Sequence, residues 1–415
     1  MKKKPEKTNR LLEIVKIRKL LNSTLRLERI LQIILETATK SLMADRGTVY
    51  IIDEKKKELW SKVLQGDVKV EIRLPIGKGI AGYVAKTGKT IIIKDAYKDP
   101  RFNPEVDKRT GYTTKTMLCT PMKDRKGKKI GVIQIVNKLN GHFSKEDIKF
   151  LDLLSLDACL AIENSRLFKE ALEKERIEKE LEVAASIQKM ILPKTIPNID
   201  GFEIAGLNVP SKQVGGDYYD VISLNNGKLA LVIADASGKG VPAALLISTL
   251  HACLRAYLES SLKLEELMQR VNSVILKSST ENKFITFFMA VLDPQSKTIE
   301  VVNAGHYPPV IIRNCNLIKL LNTGVVLGCM EGASFKRKEI PLQSNDAVVM
   351  FTDGITEACN TKNQPYGDER LEKLLLENCD KPPHQLKQMI YNDVKAFEGS
   401  AEQSDDITLL ILKVK

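Results

Sequence analysis

Four aspartates in the second half of this 415-residue chain share one local setting, in which a hydrophobic run meets a turn residue. They are Asp217 after Gly215-Gly216, Asp235 in Val232-Ile233-Ala234-Asp235-Ala236-Ser237-Gly238, Asp353 in Val349-Met350-Phe351-Thr352-Asp353-Gly354, and Asp405 in Ser404-Asp405-Asp406-Ile407-Thr408. A carboxylate at a strand end is aimed by a rigid element into a loop-lined cleft, which is what a preorganised oxygen-ligand site requires. Hard divalent cations such as Mg²⁺ and Mn²⁺ take carboxylate, carbonyl and water oxygens. Asp also favours turns for its own backbone chemistry, so a single Asp-Gly turn carries little weight. Four such acids in one segment set a metal site against four separate turns as the two readings. The seven cysteines (119, 159, 253, 315, 329, 359 and 379) are scattered without a CxxC pair. Neither a zinc site nor a disulfide framework is indicated, and a reducing cytoplasm is the expected compartment.

The acids need sheets to hold them. Within 191–415, apolar runs at 229–234, 284–292, 298–303, 310–313 and 347–351 read as strands, with helical stretches at 241–260, 263–277 and 368–376. Two sheets covered by helices account for that order. Residues 145–190 contain no Gly or Pro and are rich in Leu, Ala, Glu and Lys, so one long helix is expected there. Leu160, Leu167 and Ala171 fit one heptad seam and Ile177, Leu181, Ala184 and Ile191 another, out of phase near Lys174. A paired, coiled-coil-like dimer linker is the expectation, with a solvated single helix as the alternative. Pro193 and Pro197 end it.

Ahead of that helix, Leu27, Ile30, Leu31, Ile34 and Ala38 recur at helical spacing. Short β-rich runs follow at 48–52, 68–73, 90–93, 116–121 and 130–136, and three glycines in 77–84 mark a turn into a short helix. This order predicts an α+β sheet with one covered face. The segments are expected to be a basic N-terminal stretch (1–19), a sheet-and-helix domain (20–155), the helical linker (156–190) and the acid-bearing domain (191–415).

The net charge of +12 raises the question of nucleic acid. Residues 1–190 hold 41 Lys and Arg against 26 Asp and Glu, and residues 191–415 hold 23 against 26, so the excess belongs to the first half alone. Its clusters at 55–57 and 123–129 sit beside Gly and Asp as hairpin tips do, without interleaved aromatics, so no nucleic-acid partner is expected. No run approaches the roughly 18–20 apolar residues of a membrane span, and no signal peptide is evident.

At the acidic positions the chain resembles a known family. Gly-Gly-Asp-Tyr-Tyr-Asp (215–220), Asp-Ala-Ser-Gly-Lys-Gly (235–240), Asn-Ala-Gly-His-Tyr-Pro-Pro (303–309), Phe-Thr-Asp-Gly (351–354) and Asp-Asp-Ile-Thr (405–408) are similar to the SpoIIE branch of the PPM serine/threonine phosphatases. Ala185-Ser186-Ile187-Gln188 and Leu192-Pro193 also resemble the helix leading into that domain. The resemblance implies an αββα two-sheet fold and two Mn²⁺ or Mg²⁺ ions that activate water for in-line attack on phosphorus. It implies that Asp235 bridges both ions. Asp217 and the Ala236 carbonyl would hold one ion, Asp353 and Asp405 the other, with Asp220 and Asp406 supporting the site or the fold. Larger relatives carry a His two residues after the bridging aspartate and a phosphate-binding Arg. Here the first is Ser237 and no Arg obviously supplies the second, so the proton donor is unassigned; His306 is a candidate, although a lone His after Ala-Gly in a strand-end turn is more often structural.

Residues 20–155 resemble a GAF domain through Ala44-Asp45-Arg46-Gly47-Thr48, 77–84 and 131–138. Asn137, Lys138, Phe143 and Asp147 reproduce most of a motif of cyclic-nucleotide-binding GAF domains, with Ile148 in place of its final Glu. The resemblance implies a cyclic nucleotide or another small ligand, although a Lys138–Asp147 pair could brace a pocket without touching its contents. The whole then reads as a ligand-regulated cytoplasmic phosphatase, a homodimer through GAF domain and linker, acting on a phosphorylated signalling protein such as an anti-sigma-factor antagonist. A catalytically silent scaffold is the alternative, and no membrane partner is expected.

Overall fold

The computed structural model describes residues 27–64, 72–225, 227–260, 262–279 and 282–415. The expected basic segment at 1–19 and most of the expected strand at 68–73 lie outside them. The chain forms two compact units, Met1–Glu175 and Arg176–Lys415.

In the first unit, helix α1 (Leu27–Leu42) buries Ile30, Leu31, Ile34, Leu35, Ala38 and Leu42, the stripe its spacing predicts. There follow β1 (Ala44–Asp53), β2 (Glu58–Leu64), β3 (Arg73–Pro75), α2 (Gly79–Thr87), β4 (Ile91–Ile93), α3 (Glu105–Thr110), β5 (Met117–Lys123), β6 (Lys129–Lys138) and α4 (Lys145–Ile191). The strands make one antiparallel sheet in the order β3-β2-β1-β6-β5-β4. Against one face lie α1 and the first turns of α4, with Phe150, Leu151, Leu154 and Ala158 on Val49, Leu118, Ile133 and Ile135. The other face is covered as well, by Ile80, Ala81 and Val84 of α2 on Tyr50, Leu59, Cys119 and Val132. The expectation of a single covered face is therefore corrected. The reason is visible in β5, where six successive residues are buried before Lys123 and no polar face remains.

Helix α4 runs unbroken for 47 residues. Beyond its buried first turns, Leu167, Phe168, Leu172, Ile177, Val183, Ile187 and Met190 are exposed.

The second unit contains β7 (Phe202–Val209), β8 (Asp217–Ser223), β9 (Leu229–Ala236), α5 (Val241–Leu258), α6 (Leu264–Ser278), β10 (Ile285–Asp293), β11 (Thr298–Ala304), β12 (Val310–Arg313), β13 (Asn316–Lys319), β14 (Lys338–Pro341), β15 (Ala347–Phe351), α7 (Asp368–Glu377), α8 (Pro383–Glu398) and β16 (Ile407–Val414). Two five-stranded sheets result, β14-β11-β10-β9-β8 and β13-β12-β15-β16-β7. They face each other through Val221, Leu231, Ile233 and Phe288 on one side and Val348, Met350, Leu410 and Leu412 on the other. Helices α5 and α6 cover the outer face of the first sheet, α7 and α8 that of the second. This is the expected αββα arrangement. Helix α5 is long and apolar enough to cross a membrane, yet Ala243, Leu246, Ile247, Leu250 and Leu254 are spent on this core.

One expectation about cysteine fails. Cys315, in the β12–β13 turn, is disulfide-bonded to Cys379 after α7, 64 residues away. Packing of α7 against that hairpin, tied by Lys319 to Glu372 at 2.7 Å, brings the two together. No sequence spacing rule reaches that far.

Candidate active site

Asp217 opens β8 and Asp235 lies near the end of β9, and the antiparallel register sets the two directly opposite each other. The other sheet supplies Asp353, two residues past β15, and Asp405, two residues before β16. Close backbone approaches join these loops. A Cβ on Gly354 would stand 1.9 Å from the Asp406 carbonyl oxygen, and one on Gly215 would stand 2.5 Å from Asp406 Oδ2. Only glycine fits at either place.

Asp406 fastens the Asp217 loop from behind. Its buried carboxylate accepts from Ser211 N–H and Oγ at 2.6 and 2.8 Å and from Gly216 N–H at 2.6 Å. Thr352 Oγ1 donates to Asp217 Oδ2 at 2.8 Å, so the second sheet orients an acid of the first. Asp220 points elsewhere. It is buried between Tyr218 (2.8 Å) and Arg255 (2.6 Å), under α5.

The electrostatics of the four acids are those of an anionic cleft. Burial, then the charges of Asp235 and Asp406, raise Asp217 well above the carboxylate range. Burial, then Asp353, Asp405 and Asp406, push Asp235 up to about 7. Asp353 is raised by burial, then by Glu357 and Asp405. Among the described residues no three acidic, His or Cys side chains already close to metal-ligand spacing. The donor set nevertheless fits Mn²⁺ or Mg²⁺: all oxygen, partly desolvated, and close enough together for each charge to oppose the next. The Ala236 carbonyl stands beside this group, 3.0 Å from where a Cβ of Gly216 would be.

Asp235 and Asp353 also line a cavity of about 260 Å³ with Thr286, His306, Tyr307 and Asn322. His306 is buried, its Nδ1 2.9 Å from Thr286 Oγ1, and its backbone N–H donates to Asn303 Oδ1 at 2.8 Å. Burial holds its imidazole down to about 3, the Phe351 backbone opposing. Burial thus disfavours the cationic, proton-donating form of this ring.

In the first unit a cavity of about 100 Å³ lies between the sheet and α2. Gly79, Ile80 and Ala81 at the α2 N-terminus, Arg46, Asn103 and Gln134 line it, with an apolar wall that includes Ile72, Phe102 and Met117. None of Asn137, Lys138, Phe143 and Asp147 is in that lining. Asn137 instead staples the neighbouring loop. Its Oδ1 accepts from Lys115 N–H at 2.6 Å, and its Nδ2 donates to the Thr113 carbonyl at 2.8 Å and to the hydroxyl of Tyr112, a lining residue, at 2.9 Å. Lys138 is ion-paired with Asp147, and its ammonium lies 5.4 Å from the centre of the Phe143 ring. The pair ties the end of β6 to the first turn of α4.

Two contacts of the acid cleft were not legible as such. Gln188, near the end of α4, exchanges two hydrogen bonds with Gly215, and Lys239 pairs with Asp405 at 2.9 Å. Both lie inside motifs quoted above, but nothing in their spacing marks the partner.

Paired antiparallel sheets between helix layers, with acids converging from both sheets, define the class of metal-dependent PPM (PP2C-like) phosphatases. Comparison with known proteins narrows this. The family model for stage II sporulation protein E (SpoIIE) matches residues 225–415 and that for the GAF domain residues 26–162. The chain is 28% identical over 243 residues to the phosphoserine phosphatase RsbU of Bacillus subtilis, a match covering 58% of this chain and 72% of that one. It is 40% identical over 147 residues to the probable 3',5'-cyclic phosphodiesterase pde-5 of Caenorhabditis elegans, spanning 32% of this chain but only 20% of the relative's length. Among solved structures, the SiaA-PP2C domain of Pseudomonas aeruginosa aligns with 59% of this chain and 99% of its own at a TM-score of 0.52 and 20% identity, which shows the shared fold. The chain thus carries a GAF domain over residues 26–162 and a SpoIIE-type domain over residues 225–415.

Proposed function

We propose that this protein is a ligand-regulated, metal-dependent serine/threonine phosphatase whose site is formed by Asp217, Asp235, Asp353 and Asp405. The observation that carries it is the meeting of four acids from two sheets, three of them raised from their ordinary value by burial and by neighbouring carboxylates. Two divalent ions there would neutralise the cleft, clamp the phosphoryl oxygens and acidify a water. In this reading Asp235 bridges the ions, Asp217 and the Ala236 carbonyl hold one, and Asp353 and Asp405 hold the other. Thr352 and Asp406 keep Asp217 and its loop in place. In this reading the substrate is a phosphoserine or phosphothreonine on a signalling protein, as the likeness to a phosphoserine phosphatase supports, an anti-sigma-factor antagonist being the kind that the family resemblance implies. A silent scaffold would have no use for four retained, mutually repelling acids, which costs that alternative its support.

The GAF cavity offers a small ligand an apolar wall, the α2 N-terminus and Arg46 for a negative group, the Asp107 carboxylate beside them, and Asn103 and Gln134 for polar edges. The likeness to cyclic phosphodiesterases makes a 3',5'-cyclic nucleotide the chemistry to test. Of the exposed apolar residues of α4, Phe168, Leu172, Val183, Ile187 and Met190 share one side and are the surface a homodimer would use, whereas Ile191 of the expected seam packs against the second unit's core. The test is phosphate release with Mn²⁺. Wild type is expected to turn over and to stop with EDTA, and Asp235→Ala to lose at least about 100-fold. An Asp235→Ala variant with undiminished Mn²⁺-dependent turnover would remove the assignment.

A further inference from the structure

The phosphatase reading leaves one function without a residue: a cation to hold the substrate's phosphoryl group. Among the described residues after 191, every arginine has a carboxylate partner elsewhere: Arg255 pairs with Asp220, Arg270 with Glu266, Arg313 with Asp346, Arg337 with Glu300 and Arg370 with Asp393. Lys283 is engaged too, its ammonium donating to the Ser237 carbonyl at 3.1 Å. Among the described residues, the one cation paired with any of the four cleft acids is Lys239, 2.9 Å from Asp405 Oδ2 and also bonded to the Ser404 carbonyl.

Resting on the reading above, we propose that Lys239 is the phosphate-binding cation of this phosphatase, parked on Asp405 until substrate arrives. Three observations lead there. First, Lys239 sits four residues past Asp235 in one tight turn, between Gly238 and Gly240, whose φ values of 95° and 75° suit only glycine. The ammonium is therefore carried by the same turn as the acid expected at the centre of the cleft. Second, the pair is half open, with 40% of the Lys239 side chain and 35% of that of Asp405 exposed. Such a pair is weak and easily exchanged. Third, the charges require a change of partner. Two divalent ions satisfy four carboxylates, after which Asp405 has less use for Lys239, and an arriving phosphate brings negative charge to the same place. A flexible ammonium suits that exchange as a mobile point charge.

The alternative role is that Lys239 only holds Asp405 in position for a metal ion. Three proteins separate the two roles: wild type, Lys239→Gln and Lys239→Arg. The readouts are Mn²⁺ affinity without substrate, KM and kcat on para-nitrophenyl phosphate, and inhibition by inorganic phosphate. The expected result for Lys239→Gln is a rise of about 10- to 100-fold in KM and in the phosphate inhibition constant, the scale of one charge-assisted hydrogen bond. Its Mn²⁺ affinity should be equal or tighter, since a competing cation is gone, and Lys239→Arg should restore most of the phosphate affinity. Unchanged KM and phosphate inhibition in Lys239→Gln would overturn the proposal. So would a loss of Mn²⁺ affinity matching the loss of rate, which would leave Lys239 as a support for Asp405 alone. Wild type that binds Mn²⁺ but hydrolyses no phosphate ester would instead overturn the phosphatase reading, while phosphate affinity, measured directly by calorimetry, still judges Lys239.

Discussion

Helix α4 ends against the loop that presents Asp217, and two hydrogen bonds make the junction. Gln188 Nε2 donates to the Gly215 carbonyl at 2.7 Å, and Gly215 N–H donates to Gln188 Oε1 at 2.9 Å. Gln188→Ala deletes both. Each is worth about 0.5–1.5 kcal/mol net, so the loop loses about 1–3 kcal/mol of restraint two residues from a proposed metal ligand. Gly216 remains tethered to Asp406, so the loop should loosen without detaching and the fold should persist. If the whole restraint is expressed at the site, Mn²⁺ affinity or kcat falls by about 5- to 150-fold. The assay is Mn²⁺-dependent phosphate release across a Mn²⁺ titration, with a thermal melt to confirm folding. A folded Gln188→Ala protein with wild-type Mn²⁺ affinity and wild-type rate would refute the idea that the helix end sets the geometry of Asp217.

Other outcomes follow from the same structure. Burial would raise the Asp147 carboxyl, but Lys138 and the Ser144 N–H overcome it and hold the group below its ordinary value. A depressed folded pKa stabilises the domain above the unfolded value of about 3.9, and this stability is lost as pH falls through the folded value. Asp147→Asn should therefore cost about 3–5 kcal/mol at pH 7 by stranding Lys138, and its gap from wild type in thermal melts should close in acid below about pH 4. His306→Ala should lower the melting temperature while leaving turnover within a few-fold of wild type; a loss of 100-fold or more would restore the proton-donor role. Four residues inserted near Lys174 advance the helix by about 40° beyond a full turn, whereas seven return it to within about 20°. The four-residue insertion should change the response of phosphatase rate to a cyclic nucleotide, and the seven-residue one should keep it.

The acids were legible because each depends only on its neighbours: an apolar run, an Asp and a turn glycine or serine. Strands at Val310–Arg313 and Ala347–Phe351 were legible for the same reason, as runs of apolar or β-branched residues with clear ends. Strand β16 was missed although it reads Ile-Thr-Leu-Leu-Ile-Leu-Lys-Val, because its first residues had already been read as part of a motif. Helix α8 lies outside the stretches expected to be helical; Pro383 opens it, where a missing N–H costs nothing. What depended on the fold could not be seen at all. Thr352 meets Asp217 across 135 residues and Lys239 meets Ser404 across 165, and such pairings follow from how two sheets stack rather than from any local pattern. The four residues of the GAF motif illustrate the limit differently: only Asn137 touches a residue of the cavity lining, while Phe143 packs in the core on the sheet's other face, and neither placement could be read from the motif.

The pairing of Asp217 with Asp235 across β8 and β9 has a thermodynamic side. Two carboxylates directly opposite on adjacent strands oppose the pairing they sit in once both are ionised, a repulsion that a bound cation would remove. A cation that binds the folded cleft and not the unfolded chain adds RT ln(1 + [L]/Kd), about 2.7 kcal/mol at one hundred times Kd. For a domain of this size each kcal/mol moves the melting point by about 2–4 °C. The melting temperature thus becomes a gauge of occupancy, able to rank Mn²⁺ against Mg²⁺ with no substrate in hand. It also means that the free-metal level around the protein sets its folded lifetime together with its rate.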